Sequence, residues 1–132
     1  MTKRLIMPAD IREAAAASGM SPAILSGGFL FLTGATGGDA QGRMPDDVEA
    51  QARNAFGKIG SVLREAGLGL AAVVEMTTYH VGLRVHFDAF DAIRREVLPE
   101  PFPAWTAVEV AGLRREGALV EIRVIANAQG AG

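Results

Sequence analysis

One short stretch limits the architecture more than any other: Phe29-Leu30-Phe31-Leu32-Thr33, with Gly27-Gly28 before it and Gly34 after it. Aromatic and aliphatic residues set between turn formers predict a β-strand. Alternation along a strand sends Phe29 and Phe31 to one side and Leu30 and Leu32 to the other, so both faces are apolar. Helices laid on one side of a sheet leave its second face open to water. Another surface has to cover that face.

The remaining elements are set by periodicity and turn residues. The alanine run Ala14 to Ala17 fits a short helix, and the chain ahead of Phe29 is otherwise irregular. Ala35 to Pro45 is rich in glycine and reads as a loop, with Asp46 or Asp47 as N-cap of the next helix. From Val48 to Ala66, apolar residues such as Ala52, Ala55, Phe56, Ile59 and Leu63 recur at helical spacing, and Gly67 ends the helix. Val73 to Val81 is rich in β-branched residues and predicts a second long strand. A shorter helix is expected from about His86 to Val97, with Phe87, Phe90, Ile93 and Val97 on one stripe. Pro99, Pro101 and Pro103 then hold the chain extended.

Trp105 to Ala111 and Leu119 to Ala126 predict two closing strands, joined by the polar link Leu113 to Gly117 and expected to pair as a hairpin. On the first, Thr106, Val108 and Val110 share a face opposite Trp105, Ala107, Glu109 and Ala111; on the second, Val120, Ile122 and Val124 oppose Glu121, Arg123 and Ile125. Assigning the all-apolar faces to the core puts Trp105, Glu109, Glu121 and Arg123 together on a mixed face buried against another subunit. The element order gives an α+β layer, a mixed β-sheet with two helices on one face.

Composition narrows the function. The 132 residues and their apolar fraction of 49% suit one packed core, so a single domain over 1–132 is expected. Thirteen basic against 15 acidic side chains, a net charge of −2, without a long run of either sign, argue against a nucleic-acid-binding stripe. The absence of cysteine excludes disulfides, thiolate metal ligands and a cysteine nucleophile, and accords with a reducing cytoplasm. Met1 to Asp10 shows no export signal, and no apolar run reaches bilayer length, so no membrane partner is expected. His80 and His86 are not spaced as a metal pair and read as ordinary surface or packing residues; no metal or cofactor is expected.

Several fragments, in order and at family spacing, resemble the reactive intermediate deaminase (Rid) family. They are Phe31-Leu32-Thr33-Gly34, the helix opening at Gln51 and closing in Glu65-Ala66-Gly67, and Val73-Val74-Glu75-Met76-Thr77. The most specific are Pro103-Ala104-Trp105-Thr106, Val108-Glu109-Val110-Ala111-Gly112-Leu113 and Val120-Glu121-Ile122-Arg123-Val124-Ile125-Ala126. The resemblance covers nearly the whole chain. It implies a chorismate-mutase-like fold, a homotrimer whose sheets close into a barrel, and ligand clefts at the subunit interfaces. Such a barrel would cover the second face of Phe29 to Thr33.

The resemblance also implies chemistry. Deaminating members hold the carboxylate of a reactive enamine or imine on an arginine, while a glutamate positions water for hydrolysis to a keto acid and ammonia. A guanidinium suits that task because it offers parallel donors. Here the arginine position is Trp105, with one indole donor and no charge, and the family tyrosine position is Met20. Glu121 falls on the family's water-positioning glutamate, the expected catalytic residue, and Thr33 and Gly34 fall where the family lines its cleft.

Each candidate has a plain alternative. Trp105 is a stacking platform or interface packing. Glu121 is a water holder or a paired strand carboxylate. Arg123 replaces the family cation or neutralises Glu121 or Glu109, and Glu109 itself is read as structural. Thr33-Gly34 lines the cleft or simply ends a strand. The leading expectation is a trimer that binds a small carboxylate or flat metabolite in its intersubunit clefts, with hydrolysis of it left open, and without the usual arginine-dependent site. An active deaminase using Glu121 and a substitute cation, and a non-enzymatic ligand-binding protein, are the alternatives. Endoribonuclease activity, attached to parts of this family, ranks last.

Overall fold

Seven strands share one mixed sheet in the computed structural model, which describes residues 2–129. They are β1 (Arg4–Ile6), β2 (Ala23–Ser26), β3 (Phe29–Leu32), β4 (Ala35–Thr36), β5 (Val73–His80), β6 (Ala104–Glu109) and β7 (Val120–Asn127). The helices are α1 (Arg12–Ser18), α2 (Val48–Glu65) and α3 (Leu83–Val97), with short 3-10 turns at Ala9–Ile11 and Leu70–Ala72. The α+β class, the mixed sheet and the two core helices are as expected from the sequence.

The sheet runs β1-β2-β3-β7-β5-β6, and β4 pairs with β7 beyond β3. β6 lies parallel to β5, while β7 runs antiparallel to β3, β4 and β5. The closing strands are therefore not a hairpin: β5 stands between them. The crossover helix α3 returns the chain parallel to β5 at the sheet edge. Val120, Ile122, Val124 and Ala126, all buried, then fit β7 into the centre. Two-residue periodicity tells which side chains share a face, not which strand lies alongside.

The start of the chain is more ordered than expected. β1 and β2 extend the sheet, and β2 joins β3 through Gly27-Gly28 with φ of 61° and 83°. Positive φ at both central residues belongs to the tight hairpin turn that matches the twist of its strands.

α2 begins where Asp47 accepts a hydrogen bond from the Ala50 N–H at 3.0 Å, and the chain leaves it through Gly67 at φ 76°. Ala52, Ala55, Phe56, Ile59 and Leu63 face the sheet, meeting Phe90 and Ile93 of α3 and Leu30, Met76 and Ile122 below. Each large side chain so buried contributes about 1.5–3 kcal/mol. Among the described residues no helix lies over the opposite face of the sheet: Leu30 and Leu32 are buried, whereas Phe29 and Phe31 are 42% and 37% exposed. No helix among the described residues is long and apolar enough to cross a membrane.

Candidate functional site

Thr33 and Gly34 sit at an irregularity between two strands. From Phe31 to Ala35 the chain advances four residues, while its partner β7 steps back three, from Ile125 to Ile122. The surplus residue forms a bulge there, a device that re-aims nearby groups. Thr33 donates its hydroxyl to the Ser21 carbonyl at 2.5 Å, and its N–H bonds to Pro22 O at 3.0 Å. That contact brings the segment after exposed Met20 alongside the bulge.

Glu121, opposite Thr36 on β4 and Tyr79 on β5, extends its carboxylate over Gly34. A Cβ at position 34 would collide with Oε2 of Glu121, so only glycine leaves the carboxylate where it is. Glu121 is half-buried, and no hydrogen bond or ion pair among the described residues engages its oxygens. On the helix side of the bulge lies a cavity of about 250 Å³, lined in part by Thr33, Gly34, Thr36 and Lys58. Lys58 donates to Thr36 O at 2.7 Å, and burial, with Arg115 nearby, pushes its amine below the ordinary lysine range. Sequence reasoning passes over Lys58, which sits on an otherwise polar edge of α2.

Trp105 is elsewhere. It pairs in register with Met76, so its indole faces the helices, and it stacks on Phe87 with ring centres 5.7 Å apart and planes 5° from parallel. Glu109 shares that side and accepts a hydrogen bond from the Leu83 N–H at 3.1 Å, satisfying a free donor at the start of α3. The expected mixed face is thus corrected: Trp105 and Glu109 lie on the helix side, Glu121 and Arg123 on the other. Hydropathy misassigned the faces because both polar groups find partners beneath α3. Thr106 and Val108 point outward instead.

Trp105 Nε1 donates to Thr78 Oγ1 at 2.8 Å; Thr78 Oγ1 lies 2.7 Å from His80 Nε2; His80 Nδ1 lies 3.3 Å from His86 Nε2. An indole only donates, so Thr78 Oγ1 accepts from Trp105 and keeps its own proton for a further partner within reach, such as His80 Nε2. Thr78 and His80 are fully buried, and burial lowers the His80 pKa to about 4, with His86 adding to the effect. Burial lowers His86 as well. His80 is therefore a core residue, not a surface one.

Over the Trp105 ring, 4.2 Å from its centre, lies the guanidinium of Arg94, which is also 5.4 Å from the Phe102 ring centre. A desolvated cation over an indole contributes about 2 kcal/mol. Arg94 and Arg95 share Asp91, which they hold below the ordinary carboxylate range against the opposing effect of burial. Sequence reasoning misses Arg94 too; the available signal is a basic residue beside the apolar stripe of α3. Arg123, by contrast, is exposed opposite Thr77 and forms no ion pair with Glu121 or Glu109 among the described residues. Within one chain the structure therefore brings Thr33, Gly34 and Glu121 together and sets Trp105 apart. Among the described residues, no three His, Cys, Asp or Glu side chains gather where they could hold a metal ion.

The family model described as Endoribonuclease L-PSP matches residues 11–128. The RutC family protein YjgH of Escherichia coli (strain K12) is 32% identical over 123 residues, covering 92% of each chain. The 2-iminobutanoate/2-iminopropanoate deaminase of Capra hircus is 31% identical over 128 residues, covering 96% of this chain and 90% of that protein. The crystal structure of YyfA from Yersinia pestis, described as a conserved Rid family protein of unknown function, superposes with a TM-score of 0.86 at 29% identity, covering 96% of this chain and 99% of the other. Alike in sequence along almost its whole length, and superposing closely on a solved member, the chain belongs to the Rid family.

Proposed function

We propose that three copies of this chain join through their outer sheet faces, and that the clefts at the seams take a small imine or enamine and hydrolyse its C=N bond. The observation that carries the reading is the uncommitted carboxylate of Glu121 over the Thr33-Gly34 bulge. A half-buried carboxylate with free oxygens can orient water and accept its proton. Water oxygen then bonds to the imine carbon, the nitrogen takes a proton, and the resulting carbinolamine collapses to a carbonyl compound and ammonia. The goat relative's name describes a deaminase of 2-imino acids, which supports this class of substrate.

Trp105 and Glu121 point through opposite faces of the sheet, so they border one cleft only where two subunits meet. The one indole donor of Trp105 is already taken by Thr78, where a carboxylate would want two free donors, so the usual clamp is missing from that position. A cytoplasmic setting accords with a chain free of cysteine. The nuclease named by the family model finds less support: the net charge is −2 and His80 is sealed in the core, out of reach of a phosphodiester.

The test is ammonia release from 2-aminoacrylate generated in situ. Glu121→Gln should lower turnover by about a hundredfold or more while the oligomer stays intact by light scattering. Wild-type turnover in that variant removes Glu121 from the chemistry. No ammonia from the wild-type chain, together with a raised melting temperature in keto acids, would make it a binding protein instead.

A further inference from the structure

We infer that Arg94, reaching across from α3, is the residue that holds the anionic group of the ligand, in place of a cation at position 105 or Arg123. This rests on the proposed cleft between subunits. Its warrant is the way the guanidinium is held. Nε and Nη2 of Arg94 both point at one oxygen of Asp91, at 2.8 and 2.6 Å, and Arg95 Nε takes the other oxygen at 3.0 Å. One carboxylate thus faces two guanidinium groups, and the cluster keeps a net positive charge.

A guanidinium has five N–H donors, so Asp91 leaves most of them unused. Nη1 has no hydrogen-bond partner among the described residues, and no buried side-chain nitrogen among them lacks one, so Nη1 reaches the surface. The Arg94 side chain is nevertheless only 10% exposed, and it is walled by Trp105 and by Phe102, which is itself partly exposed. Those walls fix the plane of the fork before any ligand arrives, so little conformational freedom remains to be lost on binding. They also lower the local dielectric, which strengthens its attraction for an anion. Arg123 has neither advantage: it is exposed and would have to be ordered by the ligand itself. The ligand that fits is a small carboxylate with a flat or apolar body that lies against the exposed Phe102 ring.

The experiment is calorimetric titration of the intact oligomer with 2-oxobutanoate and with its neutral amide. If Arg94 receives the carboxylate, Arg94→Gln weakens the acid about tenfold or more and leaves the amide within about twofold, the loss expected when hydrogen bonds to a charged group vanish. Equal acid binding by the wild type and Arg94→Gln overturns the inference and spares the proposed cleft. Should Arg94→Gln fail to fold, Arg94→Lys decides: its single ammonium cannot reproduce the fork, so the preference for acid over amide should fall about threefold or more. An unchanged preference would mean that Arg94 only braces Trp105. If the wild-type chain binds neither compound and releases no ammonia, the cleft reading fails and takes this inference with it.

Discussion

His80 makes no contact with solvent, yet both its ring nitrogens are engaged, one by Thr78 and the other by His86. Burial, with His86 adding to it, disfavours a charged ring there, so the fold selects the neutral form. With the pKa pulled from 6.5 to about 4, the unfolded chain binds the proton more readily between those values. Stability from this residue is therefore complete above about pH 6.5 and disappears as pH falls towards 4, by up to about 3 kcal/mol. The urea midpoint should drop over that range, and His80→Phe should flatten the drop, leaving the smaller share of His86. An unaltered slope in the variant would show that other groups set it. At this scale the nearness of Glu121 to Thr33 and Gly34 was legible, because their places travel with the family pattern. Arg94 was not legible, since its meaning depends on a ring 11 positions away in the chain and across the sheet–helix interface.

Helix α2 is tied to the loops at both its flanks by Gln51. Its Nε2 donates to Pro45 O at 2.7 Å and to Gly117 O at 3.0 Å, and its Oε1 accepts from the Leu119 N–H at 2.8 Å. The loop before α2 comes so close that a Cβ on Gly37 would collide with the Gln51 backbone. Gln51→Leu fits the space but leaves a part-buried donor and two acceptors unpaired, and should cost about 3 kcal/mol in urea denaturation. A loss below about 1 kcal/mol would mean that water substitutes for the amide. The helices were readable from their periodicity, although α3 starts at Leu83, before the expected His86, because Glu109 on β6 supplies the hydrogen bond that Gly82 cannot. β1 and β2 were passed over because neither has the aromatic run set between glycines that marks β3. The Gly27-Gly28 pair was the available sign of the β2–β3 turn.

Among the described residues one sheet face lies under helices and the other has none over it. Phe29, Phe31 and Leu5 are exposed on it, with Ile24, Ile125 and Val108 half-covered beside them. This two-sided character was the first thing the sequence made readable, and the uncovered Phe31 agrees with it. In the proposed trimer, Phe31→Glu puts a charge in the seam and should shift the species measured by light scattering from trimer to monomer, at small cost to the fold of each subunit. A wild-type chain that is monomeric at micromolar concentration would remove the trimer and its clefts. Trp105 and Glu121 leave the same sheet in opposite directions. In the proposed trimer any reaction that needs both would be owned jointly, so in a cell making two versions of the chain, one faulty copy would disable sites whose other half is sound.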